Sequence, residues 1–228
     1  MENFNRLRFK LNKIYYYFFK DRFSKKINFD FPANINRWDL IQKTINKKRF
    51  SSYLEIGCDD DNSFNKIIIK KKVGVDPVSG GNFRDTSDNF FLKNKEYFDC
   101  IFIDGLHEYD QVFKDLSNSI KFLNDNGVIF LHDTLPANIH QQAVPRYKKT
   151  WNGDVWKVIV NFRTNDNYDV VTCKIDHGVS ILQKKVNNEK LDVKIDDFKK
   201  LKYKDFYLNY QKYMRLIDYD KIFEYLEI

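Results

Sequence analysis

Residues 101–110 read IFIDGLHEYD, so an apolar run ends in Asp104 and a histidine, His107, follows three residues later. A second apolar run, VIFL, ends directly in His132 and Asp133. A carboxylate can bind a hard cation such as Mg²⁺, and an imidazole can accept a proton near neutral pH. Whether these four side chains act together depends on the elements that carry them.

Short apolar runs alternate with amphipathic stretches in the middle of the chain. Four of these runs have the length of buried β-strands, namely residues 53–56, 71–76, 98–104 and 128–133. Helical spacing predicts helices over residues 38–49 and over 109–127, the second of which closes at Gly127. Another helix is predicted to begin at a cap formed by Ser87 or Asp88. The alternation is typical of a doubly wound, mostly parallel sheet with helices on both faces.

The predicted strand ends share polar chemistry. In open parallel sheets, ligands bind outside the carboxyl ends of the strands. After the first, second, fourth and fifth strands of the sheet come, in order, Glu55 with Gly57, Asp76, Asp104 with His107, and His132 with Asp133. Asp76 follows Glu55 by 21 residues, a spacing at which the second acid reaches the ribose hydroxyls of an adenosyl group. The alternative is that Glu55 and Asp76 only terminate their strands.

Five segments carry a resemblance to a known family: YLEIGCDDDNSF, VGVDP, TSDNFF, FDCIFIDGLHEYDQVFKDL and GVIFLHDTLP. In this order they resemble the class I S-adenosylmethionine-dependent methyltransferases, and more narrowly the sugar and small-molecule O-methyltransferase branch called methyltransferase domain 24. The resemblance spans residues 38–183. It implies a Rossmann-like, seven-stranded sheet with a C-terminal antiparallel hairpin, at residues 168–173 and 177–183. It also implies S-adenosylmethionine as cofactor, bound by Glu55, Gly57, Asp76, Ser87, Asp88 and Asp104.

The glycine-rich loop of this family is altered. Many members have Glu-x-Gly-x-Gly-x-Gly, whereas this chain keeps only Gly57 and has aspartate at residues 59–61. Aspartate tolerates the left-handed backbone better than most residues, so the turn can survive. Three adjacent carboxylates would nevertheless repel the carboxylate of the cofactor unless they point away from it.

The resemblance also implies roles for the residues at the fourth and fifth strand ends. Asp104 and Asp133 would share a Mg²⁺ ion, and His107 would take the proton of the acceptor hydroxyl. His132 is either a third ligand or a residue that orients Asp133. Two alternatives stay open: His107 caps the following helix, or Asp104 contacts only the methionine end of the cofactor.

The segment after Asp133 is a long loop that contains prolines, amides and basic residues. Long loops over a strand edge are usually functional, so Arg146 and Trp151 are predicted to bind the substrate. Trp156 either contacts the substrate or packs the next helix against the sheet.

Bulk properties exclude several classes of protein. The 228 residues carry 39 basic and 32 acidic side chains, a formal net charge of +7. The basic residues are spread along the chain with no nucleic-acid-binding module, which favours a solvated surface. Three scattered cysteines exclude a disulfide framework and predict a cytoplasmic location. The longest N-terminal apolar run, IYYYFF, is too short for a signal peptide or a membrane span.

Both ends of the chain are basic and rich in aromatic residues. We predict an N-terminal extension at 1–37, a methyltransferase domain at 38–183 and a helical C-terminal extension at 184–228. Aromatic surfaces of this size are usually buried against a partner. Pairing of both ends in a homodimer is the preferred interpretation, and docking to a membrane surface or a glycosyltransferase complex is the alternative.

The sequence therefore predicts a metal-assisted O-methyltransferase that acts on a sugar, a glycan or another small hydroxylated acceptor. Two hypotheses compete with this one. The basic charge is compatible with an RNA- or nucleotide-directed methyltransferase, and the aspartates at 59–61 are compatible with a catalytically silent Rossmann-like interaction module.

Overall fold

The computed structural model describes residues 2–228, with side-chain surroundings from residue 6 onward. Seven α-helices occur in this part of the chain: α1 (Glu2–Phe19), α2 (Arg37–Lys48), α3 (Ser87–Lys93), α4 (Tyr109–Lys121), α5 (Val155–Phe162), α6 (Tyr203–Met214) and α7 (Tyr219–Tyr225). The strands are β1 (Ser52–Ile56), β2 (Lys71–Val75), β3 (Phe98–Ile103), β4 (Leu123–Leu131), β5 (Asp169–Cys173), β6 (Val179–Gln183) and β7 (Leu216–Ile217).

One mixed sheet contains all seven strands, in the order β2-β1-β3-β4-β6-β5-β7. The first four strands are parallel, and β1 lies between β2 and β3 while β3 pairs with β4. β6 runs antiparallel between β4 and β5, as the predicted hairpin requires. The predicted Rossmann-like, mostly parallel fold is confirmed, and the carboxyl ends of β1 to β4 share one edge.

The seventh strand differs from the predicted one. The sequence predicts that the strands now labelled β3 and β4 are the fourth and fifth of the sheet, so a further strand is expected between β2 and β3. The described residues there form only an isolated bridge between Val75 and Phe83. The sheet instead gains β7, which pairs in parallel with β5. β7 has only two residues, so its apolar pattern is too short to identify in the sequence.

Two predicted helix boundaries are wrong. Helix α3 is capped by Thr86, whose hydroxyl accepts the Asn89 N–H at 3.2 Å, and not by Ser87 or Asp88. Helix α4 ends at Lys121 and not at Gly127, because β4 already begins at Leu123. The register of β3 and β4 shifts between Phe98 and Cys100, which leaves extra residues of β4 before Val128 as an irregularity.

The aromatic termini contact each other within a single chain. The Phe23 ring lies 6.0 Å from Tyr203 and 5.2 Å from Tyr207, and the Phe29 ring lies 5.5 Å from Tyr210. A carboxylate of Asp21 also accepts the backbone N–H of Tyr203 at 3.1 Å. Much of the predicted pairing of the two ends is therefore intramolecular. The homodimer and the three domain boundaries stay predictions.

Helix α7 closes one face of the sheet. Ile222 and Leu226 have no exposed surface and belong to the same apolar cluster as Val171 and Ile181 of the sheet. None of the helices in residues 2–228 has the length and apolar composition needed to cross a bilayer. The segment that follows the predicted domain thus contributes both a strand and core side chains.

Truncation of Leu226 tests whether the C-terminal segment is part of the cooperative core. We expect Leu226→Ala to lower the free energy of unfolding by about 2–5 kcal/mol, because it leaves a cavity under α7. Leu208→Ala is the control, since Leu208 is 65% exposed on α6, and we expect its effect to stay within about 0.5 kcal/mol. Chemical denaturation measures both variants, and equal effects would contradict the packing described.

Candidate active site

A cavity of about 1220 Å³ opens at the carboxyl ends of β1 to β4. The structure brings all of the predicted site residues to its wall: Glu55, Gly57, Asp76, Ser87, Asp88, Asp104, His107, His132, Asp133, Arg146 and Trp151. The parallel sheet explains this convergence, because strand ends that are far apart in sequence lie side by side. The long loop after Asp133 contributes Arg146, Lys149, Thr150 and Trp151 to the lining.

The loop after β1 is tight and depends on one glycine. Gly57 has a φ of +86°, and a Cβ placed there would lie 2.5 Å from the carbonyl oxygen of Asp104. Asp59 and Asp61 adopt the left-handed conformation, with φ of +47° and +63°. Asp61 accepts the Gly81 N–H at 2.6 Å and does not line the cavity. The aspartates therefore maintain the turn, and one of them points away from the cofactor region.

Asp76 connects the loops that follow β1 and β2. One of its carboxylate oxygens accepts the backbone N–H groups of Val78 and Ser79 at 2.8 and 2.9 Å. The other accepts the N–H of Asp59 at 3.1 Å. Glu55, at the end of β1, accepts the Tyr53 hydroxyl proton at 2.6 Å, and burial raises the pKa of Glu55 to about 8.

Ser87 and Asp88 lie beside two residues that the sequence analysis missed. The Gln111 amide donates to the Ser87 hydroxyl at 3.1 Å, to Asp88 at 3.3 Å and to Asp115 at 3.0 Å. Asp115 is buried, and burial raises its pKa to about 6. In the sequence, Asp115 lies between apolar residues of α4. A helix rarely buries a carboxylate without a partner, so this position indicates that Asp115 has a polar partner in the fold.

Asp104, His107 and Asp133 form a compact group of potential metal ligands. One nitrogen or oxygen atom from each lies within 4.8 Å of the others. His107 Nε2 is 3.2 Å from Asp104 Oδ1, and His107 Nδ1 is 3.4 Å from Asp133 Oδ2. The side chain of Asp154 accepts the N–H of Tyr109 at the start of α4 at 2.7 Å. The alternative in which His107 caps α4 is therefore not supported.

His132 lies next to this group but does not belong to it. Its Nδ1 is 3.0 Å from Asp104 Oδ1, and its Nε2 is 2.8 Å from the carbonyl oxygen of Asp176. The distance to Asp133 Oδ2 is longer, at 3.6 Å. Oxygens of the protein face both ring nitrogens of His132, and Asp104 is the closer of the two carboxylates. The ligand role and the orienting role of His132 both stay predictions.

Arg37 and Asp176 are the other site residues that sequence reasoning missed. Arg37 Nη1 and its backbone N–H donate to Asp176 Oδ2 at 2.9 and 3.1 Å, and Arg37 Nε is 3.5 Å from Asp104 Oδ2. No sequence signal identifies this pair. Arg37 begins a helix outside the recognisable motifs, and Asp176 occupies a hairpin turn where an aspartate is ordinary.

The charges of the site are mutually compensated. Burial alone would raise the pKa of Asp104, but His132 and His107 hold it well below its usual value. Burial would likewise raise the pKa of Asp176, and His132 and Arg37 lower it. In return, the carboxylates of Asp104 and Asp133 outweigh burial and raise the pKa of both histidines. The carboxylates of Asp104 and Asp176 are therefore held in the ionised form.

The two predicted substrate residues form one wall of the cavity. The Trp151 ring stacks on His107 with centroids 5.3 Å apart, and its Nε1 donates to the carbonyl oxygen of Ala143 at 2.6 Å. The Arg146 guanidinium lies 5.3 Å from the Trp151 ring and donates to the carbonyl oxygen of Lys148 at 2.9 Å. Trp156 is fully buried, so its packing alternative is correct.

Comparisons with known proteins agree with this geometry. Residues 54–134 match the family model described as a methyltransferase domain. A methyltransferase of Podospora anserina bound to S-adenosylhomocysteine is similar, with a TM-score of 0.50 and 14% identity over 79% of this chain and 88% of that one. An O-methyltransferase of Bacillus cereus in complex with S-adenosylhomocysteine has a TM-score of 0.46 and 11% identity over 79% and 90% of the two chains.

A search of curated protein sequences found no significant match. The matched segment begins in β1 and ends just after Asp133, so it contains the four strand ends that line the cavity. The structural similarity extends the same fold beyond that segment. Residues 54–134 therefore resemble a methyltransferase domain, and the chain shares the fold of a known methyltransferase over most of its length.

Proposed function

We propose that the protein transfers the methyl group of S-adenosylmethionine to a hydroxyl oxygen of a sugar, glycan or other small acceptor, with the help of a divalent cation. The observation that carries this proposal is the group formed by Asp104, His107 and Asp133 in the wall of the cavity. An O-methyltransferase needs a base and benefits from a Lewis acid, because a neutral alcohol is a poor nucleophile.

The cavity suits the cofactor at the ends of β1 and β2. Gly57 leaves room where a side chain would collide with Asp104. Asp76 is the acid that would accept the ribose hydroxyls, and the backbone N–H groups around it hold it in place. The left-handed Asp59 and Asp61 keep the loop turned without glycine, and this supports an enzyme over a silent interaction module. Asp59 and Asp60 still line the cavity.

The donor set suits a hard cation. The carboxylates of Asp104 and Asp133 provide the ligand atoms. Asn152 donates to Asp133 Oδ1 at 2.9 Å, which leaves Asp133 Oδ2 directed toward His107. The amide oxygen of Asn152 is buried without a hydrogen-bond partner among the described residues. An unsatisfied acceptor on a residue that contacts the Asp133 carboxylate suits the water shell that Mg²⁺ retains in proteins.

The residues of the site have distinct roles in the proposed mechanism. Asp104 and Asp133 would hold the cation, which when bound lowers the pKa of a hydroxyl placed beside it. The Trp151 carbonyl oxygen, 3.1 Å from His107 Nδ1, can only accept a hydrogen bond, so it keeps the proton on Nδ1. His107 Nε2 lies 3.2 Å from Asp104 Oδ1, so it would take the acceptor proton when Asp104 binds the cation in place of the imidazole. His132 and Arg37 fix the carboxylate of Asp104.

We infer the class of acceptor from the residues of the loop after Asp133 that line the cavity. Trp151 offers an aromatic face next to His107, and Arg146 and Lys149 line the same wall. Aromatic faces bind the apolar side of sugar and aryl rings, while the polar lining can bind hydroxyl groups. A sugar or another small ring with a free hydroxyl is therefore the acceptor class we propose.

Substitution of Asp76 tests the cofactor site. We expect Asp76→Ala to weaken S-adenosylhomocysteine binding by about 1.5–3 kcal/mol, the range for hydrogen bonds to a charged group, as measured by calorimetry. Asp125→Ala is the control, because Asp125 is exposed and remote from the cavity. Asp61→Gly should bind almost normally, since Asp61 points toward Gly81. Absence of binding by the wild type at millimolar ligand would contradict the proposal.

Chelation tests the cation. We expect methyl transfer to stop in EDTA and to return with Mg²⁺ or Mn²⁺, whereas S-adenosylhomocysteine binding should survive, because Asp76 and Gly57 need no metal. Mn²⁺ titration followed by electron paramagnetic resonance should show one site that Asp133→Asn weakens by about tenfold or more. Full activity in EDTA would rule out the metal-assisted mechanism.

Replacement of His107 distinguishes a base from a ligand. We expect His107→Ala to lower turnover by about 10²–10⁴-fold, the usual contribution of a positioned general base, while Mn²⁺ still binds at Asp104 and Asp133. A ligand role predicts that Mn²⁺ binding is lost as well. His140→Ala is the control, because His140 bonds to Tyr147 outside the cavity lining. A turnover close to that of the wild type would refute the base assignment.

A further inference from the structure

Helix α1 lies on the rest of the protein along one narrow face. Phe9 is partly buried and packs against the core, and Tyr16 is only 5% exposed. Asn12 donates to the carbonyl oxygen of Arg146 at 2.7 Å, and the Tyr16 hydroxyl accepts the Gln142 amide at 3.1 Å. These residues recur at intervals of three and four, so they form one face of the helix. The contacts fix the orientation of α1.

The opposite face of α1 is apolar and faces solvent. Leu7, Leu11, Ile14 and Phe18 are 58%, 58%, 56% and 61% exposed. At 100° per residue these four side chains fall within an arc of about 60°, on the side away from the buried face. A soluble helix normally places its apolar stripe against the core. Here a second apolar stripe has no partner among residues 6–228.

The excess positive charge of the chain is concentrated at this helix. Residues 1–26 contain eight lysines and arginines but only Glu2 and Asp21 as acids, so they account for six of the seven net charges. Arg8 and Lys10 are exposed and flank the apolar stripe on its two sides. The remaining chain is almost neutral. Basic residues therefore occur throughout the sequence, but most of the net positive charge lies in residues 1–26.

We propose that α1 docks on an anionic membrane surface, with Leu7, Leu11, Ile14 and Phe18 inserted among the lipid headgroups. An apolar stripe flanked by Lys and Arg is the pattern of helices that lie in the bilayer interface, where burial of the stripe and attraction to anionic lipids act together. A second copy of the chain fits the surface less well. A symmetric dimer through this face would bring two strongly basic segments together, and like charges repel.

Vesicle flotation of the full-length protein tests the proposal. We expect binding to vesicles of phosphatidylcholine and phosphatidylglycerol, weaker binding to phosphatidylcholine alone, and loss of binding as salt rises. The double variant Leu11→Glu with Ile14→Glu should bind about tenfold more weakly or worse, because two charges replace buried apolar groups. Arg8→Gln with Lys10→Gln should lower binding by about fivefold for each charge removed.

Matched variants outside α1 test whether vesicle binding depends on this helix or only on the overall charge and apolar surface of the protein. Leu208→Glu changes a leucine of similar exposure on α6, and Lys194→Gln with Lys204→Gln removes two exposed charges elsewhere. Both controls should float like the wild type. Circular dichroism and thermal unfolding confirm that each variant is folded.

Three results would overturn the proposal. They are no flotation with either vesicle type, equal flotation with both, and a dimer in sedimentation experiments that Leu11→Glu dissociates while vesicles bind nothing. The last result would identify a second copy of the chain as the partner of α1. The docking proposal does not depend on methyl transfer, so it can fail while the proposed function holds.

Discussion

The carboxylate of Asp104 is the point on which the site depends. It is partly buried between His132, His107 and Arg37, and ionised groups in such surroundings are stable only when opposite charges and hydrogen bonds surround them. Its partners come from α2, from the loop before α4 and from the end of β4. The sheet order that places β3 beside β4, and β4 beside β6, is what makes this compensation possible.

The sequence predicts the parts of the site that follow from strand ends. Glu55, Asp76, Asp104 and Asp133 each come directly after or within a readable apolar run, and parallel strands have only one edge at which to place them. The partner of a charge is harder to predict. Arg37 reaches its carboxylates only through the packing of α2 on the sheet, and that packing has no local pattern in the sequence.

Errors in the predicted fold have the same origin. The periodicity of α4 continues past its last residue because Leu123 fits both a helix and a strand, and only the pairing of Leu123 with Phe98 decides between them. β7 exists because Arg215, in the left-handed conformation, ends α6 and turns the chain toward β5. Its guanidinium also contacts the carboxylate of Asp169 in β5. Long-range pairing overrides local propensity at both places.

The pairing of Arg37 with Asp176 has a consequence for how the protein is made. The two residues are 139 positions apart, and a ribosome adds about 5–20 residues per second, so Asp176 follows Arg37 by roughly 7–28 s. During that interval Arg37 lacks Asp176 and can pair only with Asp104, once β3 has emerged. Strands β1 to β4 precede the hairpin in the chain, so the charge balance around Arg37 is complete only when the last hairpin has emerged.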